Sequence, residues 1–260
     1  MNEEILIKMG FRFGKNSTHI RRTIMFEDLE LLIDAVPNST SINEYISAIE
    51  DGNCLGKRTQ KTRTYSAKYL IELYTLNPDI ALFRTLLLFW ERDVEARPLL
   101  ASLCSAARDP LFRSSLKVIL NTPESTILSK ETMEEFIDAI EPGRFSKSTL
   151  QSIVRNIFSS WTKSGHLTGR AKKIRTRANS TPASVAYALY LGYLCGIRGP
   201  ELFATDFVKM MDCNREKAIE LAEIASQRGW IVFKRVGNVM ELLFPNLITK
   251  EEAGWLREQN

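Results

Sequence analysis

Apolar residues recur at three- and four-residue spacing from Phe26 to Ile140, and the intervening stretches do not alternate as strands do. Phe26, Leu29, Ile33 and Val36 fall on one helical face before Pro37 stops the run. Ser41 opens a second helix with Ile42, Tyr45, Ile46 and Ile49, closed at Asp51-Gly52. Tyr65, Tyr69, Leu70 and Leu73 share a face of a third. The segment after Pro78-Asp79 is apolar nearly all round (Leu82, Phe83, Leu86, Leu87, Phe89, Trp90), which suits the centre of a bundle. More helices are expected at 94–107, 110–120 and 129–140. A chain of 260 residues, 44% apolar and 25% charged, can bury a substantial core. Residues 1–125 therefore read as a helical bundle domain, with a short strand or extended arm at 5–13 and no strand between 23 and 141.

The charges are distributed unevenly. Residues 1–141 carry 17 Lys/Arg against 21 Asp/Glu, and residues 201–260 carry 8 against 10. Residues 142–200 carry 10 Lys/Arg and no carboxylate. The overall net charge of +4 is mild, but a 59-residue stretch without an acid is expected to present a positive field that attracts phosphate backbones.

Within that stretch Ser148-Thr149-Leu150-Gln151 matches a capping box. Leu150, Ile153, Val154, Ile157, Phe158 and Trp161 then form one apolar stripe, opposite Gln151, Ser152, Arg155, Asn156, Ser159 and Lys163. Ser164-Gly165 ends the helix, and a basic hairpin is expected from His166 to Arg177. Helix, turn, polar-faced helix and basic hairpin make a winged-helix pattern, so 126–180 reads as a winged-helix-like basic module. In such modules the second helix enters the major groove of duplex DNA and the wing grips the backbone. A similar order recurs in 181–260: helices at 181–195, 201–211 and 214–228, then strands at 230–236 and 239–244 across Gly237-Asn238. Its candidate reading helix exposes Glu216, Glu220 and Glu223, so this second module is expected to pack on protein. The fold class is thus mainly α: a helical bundle followed by winged-helix-like modules, with a short C-terminal β-hairpin.

The candidate DNA-binding residues fall in three groups. Lys57, Arg58, Lys61 and Arg63 lie in a basic loop read as a backbone contact. Lys147, Gln151, Ser152, Arg155 and Asn156 are read as groove contacts. Lys163, Arg170, Lys172, Lys173, Arg175 and Arg177 are read as the wing and its approach. Replacing Lys172, Lys173, Arg175 and Arg177 by alanine is expected to weaken binding to all duplexes without changing folding.

Other classes fit less well. Only two histidines occur, His19 and His166, and no zincin, Walker or nucleophile-elbow motif is present, so no metal, cofactor or enzymatic activity is expected. Trp161 reads as core, and His166 as a helix-end residue. The scattered Cys54, Cys104, Cys195 and Cys213 read as reduced thiols, and with no signal segment in view they suggest the cytoplasm. The longest uncharged stretch, Ala178 to Ile197, contains Pro182, Gly192 and Gly196 and reads as a buried helix, not a membrane span. Two alternatives stay open: a scaffold whose basic block docks on an acidic partner, and an RNA-binding module. RNA ranks lower because few aromatics lie outside the apolar stripes.

Residues 145–157 (Phe145-Ser-Lys-Ser-Thr-Leu-Gln-Ser-Ile-Val-Arg-Asn-Ile) and 160–169 (Ser160-Trp-Thr-Lys-Ser-Gly-His-Leu-Thr-Gly) resemble the signature stretch of the BrxA family. These are accessory proteins of BREX phage-defence systems. Asn53-Cys-Leu-Gly-Lys-Arg-Thr and Thr62-Arg-Thr resemble the family's basic, threonine-rich segment. The resemblance covers about residues 40–180, and the 200–245 segment departs from the family's shorter pattern. It implies a mostly helical fold, an N-terminal half like an RNA-binding antitermination factor, and a DNA-binding role beside a methyltransferase and other BREX proteins. The inner-membrane label sometimes given to the family conflicts with the hydropathy of this chain.

Overall fold

The computed structural model of the chain describes residues 2–237 and 239–258. It is mainly helical. The first seven helices are α1 (Glu3–Lys8), α2 (Phe26–Ala35), α3 (Ile42–Glu50), α4 (Gln60–Tyr74), α5 (Ala81–Arg92), α6 (Arg97–Arg108) and α7 (Pro110–Asn121). Local chemistry sets most of their starts. Ser41, Thr59 and Asp109 each accept a hydrogen bond from the backbone N–H three residues on, satisfying a donor that the first turn cannot. The expected arm at 5–13 begins as helix α1 instead. Ile5, Leu6 and Met9 are buried, an i, i+1, i+4 set that a helix presents together, and Asn2 caps Glu4. The expected helix at 94–107 starts as a 3-10 turn, Val94–Ala96, and becomes α-helical at Arg97 with Pro98 in its first turn.

After α7 the chain runs β1 (Ile127–Leu128), α8 (Lys130–Ile140), α9 (Lys147–Lys163), β2 (Leu167–Thr168) and β3 (Lys173–Arg175). The three strands form one antiparallel sheet in the order β1-β3-β2, with Ile127 opposite Ile174 and Leu167 opposite Arg175. Strand β1 contradicts the expectation of none before 141; two residues are too few to show a period. Helix α9 begins one residue before the expected box, because Ser146, not Ser148, caps it by accepting from the Thr149 amide. Gly169 turns the β2–β3 hairpin at φ +89°, where an added Cβ would lie 2.2 Å from the Lys172 carbonyl oxygen, so the turn requires glycine.

The C-terminal part holds α10 (Pro182–Leu194), a 3-10 turn (Gly199–Ala204), α11 (Asp206–Lys209), α12 (Arg215–Gln227), the hairpin β4 (Val232–Val236) and β5 (Val239–Leu243), and α13 (Lys250–Glu258). The single helix expected at 201–211 is broken at Thr205, whose extended backbone and hydroxyl cap the Val208 amide. Helix α13 was not expected. The expected Gly237-Asn238 turn falls partly outside the described residues, since Asn238 is not among them.

Helix α10 is the core element. All its side chains except Pro182 and Tyr193 are buried, and it packs on α5, α6 and α12. Among the described residues no helix is long and apolar enough to cross a membrane. Buried apolar side chains from Ile5 to Leu256 make one continuous cluster through all three segments distinguished in the sequence. Polar ties reinforce it. Asp212, just after α11, takes both Nη atoms of Arg175 at 2.7 and 2.5 Å and the Ala178 amide at 3.1 Å.

His166, expected at a helix end, is fully buried beside this tie. Ser164 Oγ and His166 Nδ1 lie 2.7 Å apart, and Nε2 lies 2.9 Å from the Met210 carbonyl. Burial lowers its imidazole to about 4, with Arg175 adding to the effect and Asp212 opposing it. A base held neutral in the folded state contributes stability that is full above its unfolded value, near 6.5, and is lost as pH falls toward 4. The expected loss is about 3 kcal/mol across that window. Urea unfolding at a series of pH values checks it: His166→Gln should lose this part of the slope, and an unchanged slope would assign it elsewhere.

Candidate nucleic-acid interface

The fifteen residues singled out from sequence divide sharply in space. Arg175 is not a wing contact. It is 4% exposed, pairs with Asp212, and donates to the Ile119 and His166 carbonyls. Lys173 is turned inward to brace the hairpin, donating to Thr162 Oγ1 at 2.9 Å and the Gly169 carbonyl at 2.7 Å. Arg177 pairs with Glu124, its Nε 2.8 Å from the carboxylate. Lys163 pairs with Glu27, and Lys57 with Asp28 at 2.7 Å. Arg63 is half-buried and donates to the Glu50 and Lys57 carbonyls, closing the turn after α3. Arg175, Lys173 and Arg63 are engaged within the protein itself, which corrects their reading as phosphate contacts, while Lys57, Lys163 and Arg177 stand at the surface in ion pairs. Acids from outside the acid-free stretch supply Glu27, Glu124 and Asp212.

Lys61 and Arg63 lie in the first turn of α4 and not in an extended loop, since Thr59 starts that helix. Arg58, Lys61, Lys147, Gln151, Arg155, Arg170 and Lys172 are exposed. Arg170 and Lys172 sit in the β2–β3 turn. Ser152 is half-buried; its hydroxyl donates to the Ser148 carbonyl and accepts from Arg155. Asn156 faces the protein and donates to the His19 carbonyl at 3.0 Å.

Asn156 shows what limits α9. The segment from Ser17 to Ile24 lies across the helix's second half and covers the Asn156–Ser160 side of it, while Lys147, Gln151 and Arg155 stay exposed in the earlier turns. A buried polar clamp holds the segment. Ser160 Oγ donates to the Asn156 carbonyl and accepts from the Ile24 amide, and it lies 2.9 Å from His19 Nε2. His19 Nδ1 lies 3.0 Å from Asp109 Oδ2. These residue types match a hydrolase triad. Here Ser160 and His19 are fully buried and Asp109 is 1% exposed, and together they tie the segment to α9 and to the start of α7.

The clamped segment carries two cations that the sequence reading missed, Arg21 and Arg22. With them, Lys61, Ser152, Arg155 and Asn156 line one groove of about 610 Å3, completed by Ile20, Tyr65 and Tyr69. Two candidate groups separated by ninety residues of chain therefore meet. Nothing in the lining is acidic, and among the described residues Arg21, Arg22, Lys61 and Arg155 make no ion pair. The Arg22 guanidinium lies 4.8 Å from the centre of the Tyr69 ring.

A groove of similar size, about 590 Å3, lies between α12 and the β4–β5 hairpin with the opposite character. Glu201, Glu216, Glu220 and Glu223 line it against Arg215 and Arg235. Phosphates would be repelled there, as the sequence of α12 suggested. No protein-family model matches the chain, and no curated protein matches it.

Proposed function

We propose that the protein binds duplex DNA without acting on it, through the free N-terminal half of α9 and the basic groove beside it. One observation carries the reading: four cations from three separate segments converge on a groove with no acid in its lining, next to the exposed turns of a helix. The order α7–β1–α8–α9–β2–β3 with the sheet order β1-β3-β2 supports reading this region as a winged helix, with α9 toward the major groove and Arg170 and Lys172 at the wing tip. Arg21, Arg22, Arg58 and Lys61 would extend the contact along the backbone. The resemblance to the BrxA family suggests a setting, an accessory role in phage defence alongside other BREX proteins, and that setting rests on the resemblance alone.

With about six phosphate contacts, affinity for any duplex is expected to fall on the order of 10³-fold between 50 and 200 mM salt. Replacing Arg58, Lys61, Arg170 and Lys172 by alanine should weaken binding to all sequences alike and reduce the salt slope by about four. Fluorescence anisotropy across a salt series checks both, and binding indifferent to salt would overturn the reading. A second reading, an interaction protein, draws on the hairpin tip, where Val236 and Val239 pair and stand 80% and 73% exposed. Valine-to-serine changes there that abolish co-purification with neighbouring gene products while sparing DNA affinity would favour it.

A further inference from the structure

We infer that the tyrosine wall of the basic groove is a stacking seat for an unpaired DNA base, so that the protein prefers a duplex running into a single strand over a blunt duplex. The inference rests on the duplex-binding reading for its second contact, and it starts from Tyr65. That ring sits on the same face of α4 as Tyr69, one helical turn earlier. Tyr69 is buried, but Tyr65 is 42% exposed and opens into the groove. The two rings lie 6.3 Å apart and 19° from parallel, so Tyr69 and its neighbour Arg22 fix the orientation of a partly uncovered aromatic surface.

Duplex DNA cannot use such a surface, because its bases are already stacked on one another and would have to be unpaired to reach an aromatic ring. A backbone-binding groove can use a tyrosine through its hydroxyl, which donates to phosphate, but the ring face that Tyr65 presents serves only an unstacked base. An aromatic platform with positive charge around it is the arrangement that holds single strands: the cations track the phosphates and the ring stacks a base of any identity. The groove volume of about 610 Å3 falls in the range of roughly 300–1,000 Å3 typical of sites for small ligands, which leaves room for a nucleotide. Its opposite wall is α9, with Ser152 and Arg155, the helix proposed to face the duplex. An unpaired base seated on Tyr65 would therefore lie directly beside the double helix, as at a strand end or a fork.

The experiment uses the full chain and three labelled DNAs with one common duplex: blunt, with a thymidine overhang, and with an abasic overhang of equal length. The abasic strand keeps the added phosphates and removes the bases. The thymidine overhang is expected to raise affinity roughly tenfold or more over the blunt duplex, and the abasic overhang much less. The ratio of overhang to blunt affinity is the readout for each variant. Tyr65→Ala should bring it close to the abasic value, and Tyr65→Trp should preserve it. Circular dichroism and melting of the variants confirm that this exposed position leaves the fold intact. Equal gains from thymidine and abasic overhangs, or a ratio that survives Tyr65→Ala, would overturn the seat while leaving duplex binding standing. Loss of salt-dependent binding to the blunt duplex alone would overturn the duplex reading, and a Tyr65-dependent preference for the overhang would then still uphold the seat.

Discussion

Arg175→Ala and Asp212→Ala are each expected to destabilise the protein by about 3–5 kcal/mol, because each leaves one buried charge without its partner. For a chain of this size that corresponds to a fall of roughly 6–20 °C in Tm. The pair is nearly sealed, with side-chain exposures of 4% and 9%, and it is bidentate, so neither charge can turn to water when the other is removed. The loss spreads from the pair. Arg175 also donates to the carbonyls of Ile119 and His166, and Asp212 also accepts from the Ala178 amide, so α7, the β2–β3 hairpin and the entry to α10 share one anchor. Arg175→Met combined with Asp212→Asn removes both charges, leaves an acceptor for the Ala178 amide and suits the left-handed backbone of position 212 at φ +53°, and it should recover much of the loss. Thermal and urea unfolding of the parent, the two alanine variants and their alanine double variant measures the coupling directly. A single variant that melts within about 1 kcal/mol of the parent would mean that the pair is not the anchor. The sequence predicts the opposite for Arg175, weakened binding with intact folding, so the same alanine separates a wing cation from a core tie.

That reversal shows how much of the site the chain order could carry. Helix starts are local, and Ser41, Ser129 and Asn214 act where the pattern suggested, because a cap needs only a side chain and an amide three residues away. The buried nature of α10 and Trp161 was also readable, since an apolar stripe or an all-apolar helix has few other places to go. Ion pairing is different. Counting acids along residues 142–200 says nothing about Glu27, Glu124 or Asp212, which approach the stretch through space, and a contact of 3–4 Å outweighs any average over neighbours in sequence. The same limit hid the groove. Arg21 and Arg22 were visible as an adjacent basic pair, but only the clamp at His19 and Ser160 sets them beside Lys61 and Arg155. Tyr65 sits at helical spacing from Tyr69 and so reads as core; it lies at the edge of the stripe, where the packed face gives way to solvent. Strand β1 left no trace because two residues cannot alternate.

Asp109→Asn should be nearly as damaging, with an expected cost of about 3 kcal/mol or more, and it should also release the arginines of the groove. The carboxylate is 1% exposed and fully occupied. Oδ1 accepts from Ser17 Oγ at 2.6 Å and from the Phe112 amide at 3.0 Å, which caps α7. Oδ2 accepts from the Thr18 and His19 amides at 2.7 and 3.1 Å and faces His19 Nδ1 at 3.0 Å. Asparagine can replace Oδ1, but its NH2 group would then point at two backbone donors, and rotating the amide by half a turn only transfers the conflict to Ser17 and Phe112. The segment from Ser17 to Ile24 would lose its anchor, so cleavage by a protease near Arg21-Arg22 should accelerate and DNA affinity should fall together with stability. The pH dependence identifies the group responsible. Burial alone would raise the Asp109 carboxyl, but the charge of His19 and the hydrogen bonds from His19, Ser17 and Phe112 outweigh it and hold the carboxyl at about 2, below its ordinary 3.8. An acid with a lowered value contributes stability that is full above about 4 and lost as pH falls through about 2, worth about 2 kcal/mol here. The difference in unfolding free energy between the parent and Asp109→Asn should therefore be constant from neutral pH to about 4 and shrink below it, a window distinct from that of His166. A difference that stays flat down to pH 2 would show that the ionised carboxylate does not hold the clamp, and the arginines of the groove would need another support.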